Sequence, residues 1–295
     1  MPITREKAIA QLTSTLDTLG IPYVTETYVV QPDTAAILVD VLIPQMALAI
    51  DIDEAVDVSV DVCRDRTQAR AQNRVLIAHA ANYGLMQMLA ADFERTNMWP
   101  YLKSRLEAHA NGRTVLGARE CKVRQMLPKE RNAFLATWHV QGPVSRASTT
   151  VALTHDKEVL ACMALGKSRY SDDGLEMLRY CTRPDVAVSG GFDRLLAHAQ
   201  KLVGKDTPIV SYADLNCSLR PKTIYDERFE CLGPTPPDYR WVNPTTGDIR
   251  SRYQCMKHRL VAAGADPALT ERQIMRSKGY IRVYGAGSMK YRLNS

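Results

Sequence analysis

Nothing in this 295-residue chain approaches the roughly 20 consecutive apolar residues that a helix needs to span a bilayer. The first segment, MPITREKAIAQL, is an amphipathic helix start and lacks the apolar run of a signal peptide. Cysteine occurs seven times, an odd number, and never as a CxxC pair. That usage argues against a disulfide framework and against a zinc knuckle, and it points to a reducing, cytoplasmic setting. No internal repeat and no low-complexity stretch is visible. What is present is an ordinary globular composition, 45% hydrophobic, in a chain longer than one average domain. Two cores are therefore expected.

The net charge of +6 is unevenly placed. From Ile249 onward ten Lys and Arg residues face only Asp266 and Glu271, so that segment carries about +8 and the rest is slightly acidic. A basic tail on a near-neutral body suits a polyanion, because neutralised phosphates release counterions. A solvated helical face would have the same composition. Arg250, Arg252, Lys257, Arg259, Arg276 and Lys278 are the expected DNA contacts.

Periodicity predicts a helix over 3–19, with Ile9, Leu12, Leu16 and Leu19 on one face and Gly20 as its stop. Strands are expected at Tyr23–Val30, Ala36–Ile43 and Met46–Ile52, then helix, a short apolar run (Leu85–Leu89) and helix between Asp65 and His109. From Thr114 the texture changes. Strands at Val115–Val123 and Trp138–Val140 flank an expected helix at Lys129–Thr137. Thr149–Thr154 and Glu158–Leu165 form a hairpin turning at His155–Lys157, and Leu175–Cys181 is a further strand. Gly190 and Gly191 form a turn into a helix at Phe192–Leu202. A strand (Ile209–Ala213), a short helix (Lys222–Arg228) and a strand (Tyr239–Val242) follow. The basic segment holds helices at Ser251–Ala263 and Thr270–Ser277, and strands at Tyr280–Tyr284 and Met289–Leu293. The expected domains are 1–112, 113–248 and a basic extension, 249–295. The fold class is α/β or α+β.

The order hairpin, strand, glycine turn with helix, strand resembles a GNAT acyltransferase domain. In that fold two central parallel strands splay apart, and the pyrophosphate of acyl-CoA meets the glycine turn at a helix N-terminus. The resemblance implies acetyl-CoA or a similar donor at Ser189, Gly190 and Gly191, with Phe192 where the family carries a small residue. The blocks Gly166-Lys167-Ser168-Arg169, Glu176-Met177-Leu178-Arg179, Ser211-Tyr212-Ala213-Asp214 and Thr223-Ile224-Tyr225 are similar to those of the Mom-type DNA-modification enzymes of phages. That likeness implies catalytic roles for Arg179, Asp214 and Tyr225. A carboxylate at a strand end could take a proton from an amine, a tyrosine could protonate a leaving thiolate, and an arginine could hold an oxyanion. In the competing structural account, Asp214 caps the following loop, Arg179 pairs with Glu176 and Tyr225 fills the core.

Glu6, Val39-Asp40-Val41-Leu42-Ile43-Pro44, Ala47–Asp51 and Ala118-Arg119-Glu120-Cys121-Lys122-Val123-Arg124 resemble the Vsr-like nuclease domain of phage homing endonucleases. The likeness implies a restriction-endonuclease-type α/β domain over residues 1–112. Its metal ligands for Mg²⁺ would be Asp40 and Asp51. Val58 stands at the expected histidine, and Ala90-Ala91 at the second acidic pair, so the nuclease reads as decayed. Asp53, Glu54, Asp57 and His79 are the nearby substitutes. His139 could face DNA or be a satisfied structural histidine; Cys217 reads as a small buried thiol rather than a nucleophile. The expected function is acyl transfer to an amine of a DNA base. DNA cleavage, or DNA binding without catalysis, are the rivals.

Overall fold

A computed structural model describes residues 2–31, 35–55, 64–168 and 174–293, with only the backbone of 64–68. Arg169, Asp57 and Val58 lie outside the described residues. The fold is mixed α and β, and the chain divides into two compact units. The first comprises Met1–Trp99, Asp214–Pro221 and Thr235–Ser288, and the second comprises Pro100–Ala213, Lys222–Pro234 and Met289–Ser295. The expected boundaries at 112/113 and 248/249 differ from this division. The basic segment is not an extension: most of it folds with the N-terminal residues, and its last strand joins the other unit.

The first unit opens on the helix Arg5–Leu19, capped by the Thr4 hydroxyl and ended by Gly20 in the left-handed region. Leu12 and Leu16 are fully buried on its inner face. A five-stranded sheet follows, in the spatial order Val24–Val30, Ala36–Ile43, Leu48–Asp53, Gly84–Leu89 and Cys217–Ser218. Leu48–Asp53 runs parallel to Gly84–Leu89, and the crossover between them carries the helix Arg64–Ala80. The strand Ala36–Ile43 alternates buried Ile37, Val39, Val41 and Ile43 with less buried residues, the period-2 pattern of a sheet with one core face.

A second sheet of this unit has Tyr239–Val242 between Ile249–Ser251 and Ile281–Tyr284. The expected helix Ser251–Ala263 is broken here. A 3-10 turn, Arg252–Cys255, precedes the helix Lys257–Ala262, because Ser251 and Gln254 cap one another as a box and close the first turn separately. With Glu271–Ser277 these pieces enclose a small core around the fully buried Trp241.

The second unit is built on a seven-stranded sheet. Its order is Phe229–Pro234, Ser288–Leu293, Ile209–Asp214, Leu175–Thr182, Glu158–Lys167, Ala147–His155 and Lys122–Gln125. The central hairpin turns through Asp156 and Lys157, both at positive φ, the two-residue geometry that matches strand twist. Both faces are covered. Val151 and Leu153 face the helix Gly191–Val203 with its Leu195, Leu196 and Ala199. Ala152, Cys162 and Ala164 face the helix Pro128–Trp138 with its Phe134 and Leu135.

Three expectations fail in this unit. Val115–Val123 is two short strands, Thr114–Gly117 and Lys122–Gln125, split by a 3-10 turn that Glu120 caps on the Gly117 N–H. Trp138 ends a helix, so no strand forms at 138–140. Lys222–Arg228 forms turns instead of a helix, with Asp226 accepting the Thr223 N–H.

Candidate functional site

In the second unit the parallel neighbours Leu175–Thr182 and Ile209–Asp214 pair only over Leu175–Met177 and Ile209–Ser211, and then part. The connection between them runs through Val186–Ser189, the glycine turn and the helix Gly191–Val203. Gly190 has φ 72°, a conformation that a side chain would strain. The helix has no side-chain cap, and Ser189 and Gly190 are exposed at its start. First-turn N–H groups left this way suit an anion. Phe192 does not block them. Its ring is buried and packs edge-on to Tyr180 and Tyr225. Asp193, the carboxylate in that first turn, is bonded to the Arg228 guanidinium at 2.9 and 3.0 Å, which offsets its charge.

Tyr225 sits among Phe192, Phe229 and Tyr291, and its hydroxyl reaches Met177 Sδ at 3.8 Å. Met177 is the last residue paired across the strands before they part. Burial pushes the Tyr225 phenol above its ordinary pKa, so the group stays protonated and keeps a proton to donate. Ser211, opposite Met177 in the register, has a fully buried hydroxyl beside the Tyr225 phenol. Ser211 belongs to the block Ser211-Tyr212-Ala213-Asp214, where it is a lone hydroxyl inside the apolar run Ile209–Ala213.

Arg179 does not pair with Glu176, which Arg146 binds at 2.9 Å. The Arg179 guanidinium donates to the carbonyls of Gly142 (3.2 Å) and Leu178 (2.6 Å). His139 lies in this neighbourhood. Its Nδ1 accepts the Gln141 N–H at 3.0 Å, and burial with the charges of Arg179 and Arg105 pushes its pKa down to about 3. It is a neutral, structural imidazole. Asp214 closes its strand but belongs to the first unit. Its Oδ1 accepts the backbone and side-chain N–H groups of Asn216, both at 2.9 Å, as a loop-capping residue does. Burial raises the Cys217 thiol well above its usual range, which makes it a poor nucleophile.

In the first unit Asp40 and Asp51 stand on neighbouring strands, and each is held by a guanidinium. Arg5 pairs with Asp40, which also accepts the Ile52 N–H at 2.6 Å. Arg74 grips Asp51 through Nε at 2.7 Å and Nη2 at 2.5 Å. Burial nevertheless pushes Asp51 up to about 6. No cluster of three metal-ligating side chains occurs among the described residues. A divalent cation would have to displace both arginines, so these residues do not fit a Mg²⁺ site as arranged. The Asp92 carboxylate is also taken, by Arg240 at 2.7 and 2.9 Å. His79 Nε2 lies 2.9 Å from Ser218 Oγ.

The expected DNA contacts lie on the second sheet of the first unit and its helices. Arg250, Arg252, Lys257, Arg259, Arg276 and Lys278 are all exposed. Several rest on aromatic faces: Arg250 lies 5.0 Å from the Tyr280 ring centre, Arg252 5.3 Å from Tyr239, and Arg259 3.8 Å from the half-exposed Tyr253. Such stacking orders guanidinium groups without neutralising them. Asp248 pairs with Arg250.

No protein-family model matches the chain, and no curated protein matches it. Among solved structures it is similar to N-acetylglutamate synthase from Neisseria gonorrhoeae complexed with coenzyme A and L-arginine. That match has 14% identity and a TM-score of 0.28, and covers 77% of this chain and 45% of the other. The same enzyme complexed with coenzyme A and N-acetyl-glutamate matches at 16% identity and a TM-score of 0.29, covering 98% of this chain and 59% of the other. This chain thus spans about half the length of those enzymes, and at those TM-scores they define no family for it.

Proposed function

We propose that the second unit is a GNAT-type N-acyltransferase domain, and that exposed cations of the first unit hold DNA bearing the acceptor amine. One observation carries the reading. Two central parallel strands part after three residues of pairing, and a glycine turn and an uncapped helix start connect them. Resemblance in sequence to the Mom-type enzymes supplies the choice of DNA as substrate, and the exposed cations support it.

Bound coenzyme A would supply an activated acyl thioester. Ser189, Gly190 and Gly191 are the residues to hold its phosphates, through backbone N–H groups and the helix dipole. Tyr225, kept protonated by burial, is the proton donor to a leaving thiolate. Solvent water takes the proton that the attacking amine loses. Arg179, whose donors go to Gly142 and Leu178, positions the outer half of its strand. Mg²⁺ has no part in this account, since Arg5 and Arg74 occupy the carboxylates that would bind it.

Release of free thiol from acetyl-CoA tests the proposal directly. Release that depends on protein and is stimulated by duplex or single-stranded DNA is expected. No release with any DNA, or release unaffected by Tyr225→Phe, would contradict it.

A further inference from the structure

The stretch 250–259 of the first unit lies almost wholly on the surface. Arg250, Arg252, Tyr253, Lys257 and Arg259 are exposed, while Cys255 and then Leu260 anchor the chain in the small core around Trp241. No Asp or Glu occurs between Asp248 and Asp266. Asp248 pairs with Arg250 at 2.9 Å, whereas Arg252, Lys257 and Arg259 form no ion pair among the described residues. Solvated cations grouped in this way suit phosphates, whose counterions are released on binding.

Charge alone would fit any polyanion, and Tyr253 narrows the choice. Tyr239, Trp241 and Tyr280 pack into or against the small core, but Tyr253 is 55% exposed. Its ring is nevertheless held in place. The Ser251–Gln254 capping box closes the turn that carries it, and the Arg259 guanidinium donates to its hydroxyl and lies 3.8 Å from its ring centre. A ring fixed before binding presents a flat apolar surface at little further cost in entropy. Cations interleaved with an exposed aromatic ring are the combination that holds a strand with unstacked bases.

We infer that this stretch binds single-stranded DNA, with an unpaired base stacked on Tyr253 and the neighbouring phosphates against Arg252, Lys257 and Arg259. The inference rests on the reading that exposed cations of the first unit hold DNA, and it specifies the form of that DNA. Within a duplex each base face is covered by its neighbours, so the ring has nothing to stack on. A sulfated polysaccharide would satisfy the cations but bring no flat partner. An unpaired strand also suits the proposed chemistry, because a base must leave the stack before an enzyme can act on its amine.

The test is fluorescence anisotropy of the full chain with labelled oligonucleotides of equal length at fixed salt. They are a single DNA strand, its duplex, a strand of abasic sites with the same number of phosphates, and the RNA of the same sequence. The single DNA strand is expected to bind tenfold or more tighter than the duplex and the abasic strand. Tyr253→Leu should weaken the single strand about tenfold and leave the duplex, the abasic strand and the salt slope unchanged. Arg252→Gln and Lys257→Gln should each weaken every DNA and lower the single-strand salt slope by about 0.7. A tyrosine that merely holds Arg259 would weaken all of them alike, and that result would overturn the inference. So would duplex or abasic strand binding as tightly as the single strand, or RNA binding more tightly than DNA. The comparison on the unaltered protein stands even if a variant misfolds. Binding of no nucleic acid would remove the DNA reading as well, whereas a single-strand preference without acyl transfer would leave this inference standing and refute only the transferase.

Discussion

Replacing Asp92 by alanine should destabilise the first unit more than any surface change to its charge. Asp92 is fully buried, and its carboxylate accepts four hydrogen bonds: two from Arg240, one from the Leu89 N–H at 2.8 Å and one from the Thr96 hydroxyl at 3.0 Å. These join the N-terminal α/β portion to Tyr239–Val242, the central strand of the second sheet, 148 residues away in sequence. Breaking a buried pair costs about 3–5 kcal/mol, because the surviving charge is left without its partner. The Arg240 side chain is 33% exposed and would recover some hydration, which favours the lower end. Loss of the Leu89 acceptor adds about 1 kcal/mol. For a unit of this size about 2–4 °C is lost per kcal/mol, so Tm should fall on the order of 10 °C. Thermal and urea unfolding followed by circular dichroism measure this. The double variant Asp92→Leu with Arg240→Met, which removes both charges, should recover much of the loss. A single-variant cost under about 1 kcal/mol, or simple additivity in the double variant, would refute the reasoning.

Three further outcomes follow from the same geometry. His139 is lowered to about 3, so between its ordinary pKa and that value the unfolded chain binds a proton that the folded one refuses. Stability should therefore fall by a few kcal/mol as pH drops from about 6.5 toward 3, and His139→Gln should flatten that slope in acid titrations followed by fluorescence. Exchanging Arg250, Arg252, Lys257 and Arg259 for glutamine should weaken DNA binding and reduce the slope of log affinity against log salt, as measured by fluorescence anisotropy; an unchanged slope would remove these residues from the interface. Tyr225→Phe should slow acyl transfer about 10²–10⁴-fold with little change in Tm, whereas a purely structural tyrosine would show its loss in stability.

Local signals in the sequence held where local physics decides. The helix ending at Gly20, the strand Ala36–Ile43 and the turn at Gly190 are set by glycine conformation or by period-2 burial and lie where the pattern placed them, and the hairpin turns through Asp156 and Lys157 within the expected His155–Lys157. Errors fell where capping within a few residues outweighed periodicity, as at Ser251 with Gln254, Gly117 with Glu120 and Thr223 with Asp226. The division into units was not legible, because it depends on contacts such as Arg240 with Asp92 that spacing does not encode. Of the expected site residues, Tyr225 and the glycine turn reside in the parted-strand unit, while Asp214 is counted in the other.

The central claim is that this chain moves an acyl group onto an amine of DNA, and mass spectrometry of nucleosides addresses it most directly. DNA incubated with the protein and acetyl-CoA would be digested and compared with DNA incubated with Tyr225→Phe. The account predicts a nucleoside heavier by one acetyl group in the first sample and a sharply reduced amount in the second. Unmodified nucleosides in both, with acetyl-CoA intact, would contradict it.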